Sequence, residues 1–285
     1  MKKIISTLLA LLMVVMCFGA CQNKNVEEAP VVASDFDYIK DNGKLVIGIT
    51  DYAPMNYLDD ANEWTGFDTE FAQAVCEKLG VEAEFVEIEW ESKFISLKAK
   101  DIDCIWNGMT ISDEVLNNTS CSDAYARNAQ VVVVKADKAA EYTDVESMKD
   151  LKFAVEAGSA GAAAAEESGF ENVVEVVAQS DALLEVVSGS ADACVIDLTM
   201  ANAMIGEGTS YDNLAKSIEL TEEEYGIGFR KDSDLTAKVN QLMKELTEDG
   251  TLPALAEKYD VVLAKGLASL VPEVVADSAA ASDAE

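Results

Sequence analysis

Two stretches of this chain share one layout, and that repetition constrains the fold more than any single motif. Residues 89–110, EWESKFISLKAKDIDCIWNGMT, read as a strand end, a helix and a strand. Residues 178–200, AQSDALLEVVSGSADACVIDLTM, read the same way. In this register Trp90 aligns with Gln179, Phe94 with Leu183, Leu97 with Val186, Asp103 with Asp192 and Gly108 with Asp197. A strand–helix–strand unit that occurs twice implies two similar α/β lobes with largely parallel sheets flanked by helices. In such lobes ligands collect outside the carboxyl ends of the strands. Those ends are Asn107-Gly108 in one unit and Asp197 in the other. A pocket between two lobes is a common place for a small molecule.

Other segments fit the same class. KLVIGIT (44–50) is an apolar run of strand length. In FDTEFAQAVCEKLG (67–80), Phe67, Phe71, Val75 and Leu79 fall on one helical face, and Gly80 stands at the stop. The length of 285 residues suits about two domains.

Charge and residue types exclude several functions. The net charge of −32 argues against a nucleic-acid partner, because phosphate binding needs a basic face. The chain has no histidine, which removes the commonest general base and the commonest zinc ligand. The six cysteines, at 17, 21, 76, 104, 121 and 194, form no CxxC pair. Cys76, Cys104, Cys121 and Cys194 have apolar neighbours and read as buried thiols, with a disulfide among them left open. No metal, cofactor or catalytic group is expected.

The amino terminus reads as a sorting signal. Lys2 and Lys3 precede an apolar run from Ile4 to Phe18, followed by Gly19-Ala20-Cys21. Residues 1–20 are expected to be a signal peptide. The stretch FGAC resembles a bacterial lipobox, which makes Cys21 the expected lipidation site, although Phe18 is an unusual first residue for that motif. Residues 21–34 are then a lipidated tether, and residues 266–285 a disordered acidic tail. The mature protein is expected outside the cytoplasm, lipid-anchored to the outer face of the bacterial cell membrane.

The chain resembles the extracytoplasmic amino-acid-binding proteins of ABC importers, the family 3 solute-binding proteins. The stretches that carry the resemblance are GKLVIGITDYAPMNY, GFDTEFAQAVCEKLG, FISLKAKDIDCIWNGMTIS, SDAYARNAQVVVV, SMKDLKFAVEAGSA, SGSADACVIDLTMA, EEYGIGFRKDSDL and MKELTEDGTLPALAEKY. They span about residues 36 to 262 in the family's order. The resemblance implies a two-lobe periplasmic-binding-protein fold with two parallel or mixed sheets. Lobe 1 would hold residues 35–131 and 226–265, and lobe 2 residues 132–225. AQVVVVK and YGIGFRK would cross between them. Ligand capture would close the lobes by a hinge motion, and the closed form would dock on an ABC permease.

The resemblance also nominates ligand-binding residues. Tyr52 and Trp90 would form opposing aromatic walls, while Trp106, in the apolar run CIW, reads as core. Asn107, Gly108 and Thr110 match the binding loop, where Gly108 lets a ligand approach the backbone and Thr110 offers a hydroxyl. Asp197 matches the carboxylate that pairs with a ligand's ammonium group. Ser159 and Ala160 would present backbone N–H groups at a helix start. Asp51 and Glu156 lie where the family touches a ligand's distal end, and two acids there favour a basic amino acid, with polar uncharged ones close behind. The family's usual arginine is replaced by Val115. The chain holds only two arginines. Arg230 is expected on the surface, so Arg127, just before the first crossing strand, is the expected replacement. Two other readings stand beside this one: a ligand-presenting sensor component, and a prephenate-type dehydratase on the same fold, which the missing histidine and arginine disfavour.

Overall fold

The structure, a computed structural model, describes residues 34–271. The expected signal peptide, Cys21, nearly all of the tether, and residues 272–285 lie outside the described residues. No helix among the described residues is long and apolar enough to cross a membrane.

In chain order the elements are α1 (Asp35–Asn42), β1 (Lys44–Ile49), β2 (Tyr57–Leu58), β3 (Trp64–Thr65), α2 (Phe67–Leu79), β4 (Glu82–Glu87), α3 (Lys93–Ala99), β5 (Cys104–Thr110), α4 (Asp113–Asn118), β6 (Ser120–Cys121) and β7 (Ala126–Lys135). They continue with β8 (Phe153–Glu156), α5 (Ala160–Glu167), β9 (Val173–Val176), α6 (Gln179–Ser188), β10 (Ala193–Asp197), α7 (Leu198–Met204), β11 (Leu214–Phe229), α8 (Leu235–Glu248), α9 (Thr251–Tyr259) and α10 (Lys265–Ala268).

Nine strands form one sheet in the order β4-β1-β5-β11-β7-β10-β8-β9, with β6 paired to β11. At one end β4, β1 and β5 are parallel, and at the other so are β10, β8 and β9. Antiparallel pairing of β5 with β11, β11 with β7 and β7 with β10 joins them. The two sheets expected from the sequence are thus the ends of one mixed sheet. β7 and β11 contain the two expected crossing segments and pair with each other over much of their length. The repeated units superpose in kind, since α3–β5 and α6–β10 each place a helix before a parallel strand.

Local chemistry explains the elements. Val131, Val132, Val133 and Val134 of β7 are all buried, as expected of a strand covered on both faces. On α2, Phe67, Phe71, Val75 and Leu79 are buried at helical spacing. The helix ends where Gly80 adopts a left-handed conformation and its N–H is donated to the Glu77 carbonyl. Trp106 is fully buried and meets Phe71 edge to face at 4.8 Å between centroids, as its apolar setting predicts. Cys76, Cys104 and Cys194 are buried thiols and Cys121 is partly buried; all four are free.

Two expectations are corrected. Arg230 is not a surface charge: its side chain is 11% exposed. It donates to Asp35 and Asp103 at 3.0 Å each and to the Ile102 carbonyl at 2.9 Å. Two carboxylates and a carbonyl match the fork of guanidinium donors and allow its burial. The carboxyl-terminal tail does not begin at 266, because α10 buries Leu267 against the core and the described chain runs to Val271.

Candidate functional site

The carboxyl ends of β5, β8 and β10 and the loop after β1 all reach one cavity of about 290 Å3. This convergence follows the general rule for parallel α/β sheets. From β5 the cavity takes Asn107, Gly108, Met109 and Thr110, from β8 Glu156, and from β10 Asp197. Tyr52, Trp90, Ser159 and Ala160 complete the set of sequence-nominated residues that line it.

Gly108 is held in a conformation that suits glycine. Its φ is +55°, and a Cβ there would lie 2.5 Å from Cε1 of Tyr52. Its N–H is donated to Oδ2 of Asp68 at 2.7 Å, and the Tyr125 hydroxyl donates to the same oxygen at 2.8 Å. Burial raises the Asp68 carboxyl to about 7, opposed by these donors. Tyr52 is 2% exposed and its hydroxyl lies 2.7 Å from that of Tyr225. Asn107 spends its amide on structure: its Oδ1 accepts from the Thr50 N–H and hydroxyl, and its Nδ2 donates to the Thr50 carbonyl.

Asp197, which is buried, and Glu223, which is half-buried, form an acidic pair. Nε2 of Gln130 donates to both at 2.8 Å, and Nδ2 of Asn128 donates to both at 2.5 and 2.6 Å. Gln179 donates to the other Asp197 oxygen, and the Thr110 hydroxyl donates to Glu223 at 2.9 Å. Burial raises both carboxyls, and the charge of Asp197 raises Glu223 further. All of these donors are neutral amides or hydroxyls, so no base among the described residues neutralises the pair.

Glu156 is 3% exposed, and its carboxylate has no hydrogen-bond partner among the described residues. Burial, then the charge of Asp197, pushes it up to about 8, with Lys93 acting in opposition. Lys93 is the single base among the lining residues, against six acids: Glu114, Glu156, Glu167, Asp197, Glu222 and Glu223. Its ammonium donates to the carbonyls of Gly158 at 2.9 Å and Trp90 at 3.3 Å. It also sits over the Trp90 ring, 5.0 Å from the centroid. Burial holds its pKa down while Glu114, Glu156 and Glu91 oppose.

Ser159 caps α5, its hydroxyl accepting from the Ala162 N–H at 3.1 Å. Val115, also in the lining, is buried and apolar. Two nominated residues are not brought to the cavity. Arg127 is exposed outside the lining, because strand parity turns Asn128 inward in its place. Its backbone N–H is donated to the Val262 carbonyl at 2.8 Å. Asp51 is exposed as well, since the adjoining Tyr52 takes the inward position.

Sequence reasoning missed Lys93, Glu223, Asn128, Gln130 and Gln179 as parts of this constellation. Only Gln179 carried a signal, as the repeat partner of Trp90. The arrangement is suited to hold a small cation. It presents acids whose donors are uncharged together with an aromatic ring, while the first turn of α5 offers backbone N–H groups that suit an anion instead.

Comparison with known proteins agrees with this geometry. The arginine-binding extracellular protein ArtP of Bacillus subtilis (strain 168) is 33% identical over 228 residues, covering 76% of this chain and 86% of that protein. The L-cystine-binding protein TcyJ of Escherichia coli (strain K12) is 31% identical over 229 residues, covering 78% and 84%. The structure of holo ArgBP from T. maritima superposes with a TM-score of 0.70 at 33% identity, covering 78% of this chain and 98% of that one. The fold is thus that of the two-lobe periplasmic amino-acid-binding proteins. The profile of bacterial extracellular solute-binding proteins, family 3, matches residues 45–261, and this chain belongs to that family of binding proteins.

Proposed function

We propose that this chain captures an α-amino acid with a cationic side chain and hands it to the permease of an ABC importer. The observation that carries this reading is the charge of the cavity wall, six acids to one lysine. Glu114, Glu167 and Glu222 are exposed, but Glu156 and Asp197 are buried and Glu223 half-buried, and a carboxylate so placed without a positive partner is unfavourable by several kcal/mol, so a cationic ligand relieves the wall. Asp197 and Glu223 receive the ligand's ammonium group, Trp90 stacks on its aliphatic stem, and Glu156 takes the distal cation. The arginine-binding relatives support this assignment, and the cystine-binding relative marks the nearest competitor.

Residues 35–131 with 226–265 form one lobe and residues 132–225 the other, with β7 and β11 as the crossing strands. Two separate sets of parallel strands that meet only through β11 and β7 support this division. Cys21 carries a lipid that keeps the protein at the outer face of the membrane. The FGAC stretch and the family's extracellular character support that placement.

The test is a thermal-shift screen of protein that has been unfolded and refolded to strip carried ligand. Arginine, lysine, ornithine, glutamine, cystine and glutamate form the panel. A ligand at 100 times its dissociation constant adds about 2.7 kcal/mol, a shift of several degrees at this size. A selective shift with a cationic amino acid supports the proposal. A shift with glutamate, or with cystine alone, defeats the charge argument.

A further inference from the structure

We infer that Lys93 is the residue that holds the ligand's α-carboxylate. This rests on the reading that an α-amino acid occupies the cavity. A carboxylate entering that space meets six acids and needs a positive partner, because an unpaired charge in a closed cleft is strongly disfavoured. Val115 offers nothing to it, and Arg127 and Arg230 are both outside the lining. Lys93 is the base that remains.

Its surroundings prepare it for the task. The residue is 4% exposed, and its ammonium donates to the Gly158 and Trp90 carbonyls. Those carbonyls use two of its three N–H donors; the ammonium also lies over the Trp90 and Phe94 rings, 5.0 and 4.8 Å from their centroids, and its third donor has no oxygen partner among the described residues. Gly158 stands immediately before the Ser159 cap of α5. In the first turn of that helix the N–H groups of Ala160 and Gly161 find no acceptor among the described residues. A third ammonium donor and the open N–H of Ala160, which lines the cavity, thus lie beside the same loop, and a carboxylate has two oxygens with room for several donors. The helix end adds a favourable partial charge. Asp197 and Glu223 thus take the ligand's α-ammonium group, and Lys93 with the start of α5 takes the α-carboxylate on the same carbon.

The experiment compares two pairs of probes that differ by one carboxylate: L-arginine with agmatine, and L-lysine with cadaverine. Each is titrated calorimetrically into the wild type, Lys93→Met and Lys93→Arg. The wild type is expected to prefer the amino acid of the tighter pair over its amine by at least about tenfold, the range of a hydrogen bond to a charged group. Lys93→Met is expected to weaken the amino acid by about tenfold to a hundredfold while the amine stays within threefold or tightens. Lys93→Arg keeps the charge and is expected to keep the preference. Equal loss of amino acid and amine in a variant whose circular dichroism and melting match the wild type would assign Lys93 to packing and overturn the inference. So would amino-acid affinity within twofold of wild type in Lys93→Met. If the wild type bound the amines and not the amino acids, the cavity would still be a cation site but the inference would be wrong. If it bound none of the four, the proposed function would fail first, and this inference with it.

Discussion

Nε2 of Gln130 donates to the carboxylates of both Asp197 and Glu223 at 2.8 Å, so one neutral amide bridges a buried and a half-buried acid of the cavity. An acid pair held by amides is positioned without being neutralised. The charge needed to balance it is left for a ligand to bring.

Asp197→Asn should therefore weaken binding of a cationic amino acid by at least about a hundredfold, the scale of removing one partner of a buried charge pair. Calorimetric titration checks this. Retention of affinity within fivefold would place the ligand's ammonium elsewhere.

Glu156 gives the ligand-free protein a pH dependence. Its folded carboxyl is raised from the ordinary 4.5 to about 8. Below 4.5 both folded and unfolded forms hold the proton and nothing is lost. Between 4.5 and 8 the unfolded chain gives it up first, so the folded state is progressively disfavoured as pH rises, by up to a few kcal/mol. Glu156→Gln should be more stable than the wild type at pH 8, with the difference vanishing near pH 4.5. Denaturant melts across this range read it out, and a difference independent of pH would contradict the assignment.

Gly108→Ala should lower both stability and ligand affinity. The new Cβ meets the Tyr52 ring at 2.5 Å in a left-handed backbone conformation. Overpacking of this kind carries a penalty of about 1–3 kcal/mol, or several degrees in melting temperature. A variant that melts with the wild type would mean that the loop relaxes freely.

Arg230 and Arg127 should behave in opposite ways. Arg230→Ala leaves Asp35 and Asp103 buried without a cationic partner, which is worth about 3–5 kcal/mol. It should lower the melting point strongly, while the variant that remains folded keeps its ligand. Arg127→Ala, at an exposed position, should change affinity less than twofold and stability by no more than about 0.5 kcal/mol.

What could be read from the sequence follows a physical division. Asp197 and Gly108 were legible as cavity-lining positions because strand ends in a parallel α/β unit converge on one cleft whatever the side chains, and the repeat located two such ends; Thr110 came from the family resemblance. Glu223 was not, because it sits among Glu222 and Glu224, and a run of acids reads as a solvated surface. Only the alternation of β11, with its register shifts between Lys216 and Thr221, turns Glu223 inward. Lys93 was hidden for a similar reason: EWESKF reads as a charged helix start, and nothing local shows that the ammonium is buried against Gly158. Arg127 was misplaced by one step of strand parity. Arg230 was misplaced because its partners, Asp35 and Asp103, are remote in the chain.

The most direct measurement is a calorimetric titration of refolded protein with L-arginine and L-glutamate at pH 7, repeated in buffers of different ionisation enthalpy. The account predicts that arginine binds at least tenfold tighter than glutamate, with net release of protons as the raised Glu156, Asp197 and Glu223 carboxyls ionise against the ligand's cations. Glutamate binding as tightly as arginine, or arginine binding with proton uptake, would contradict it.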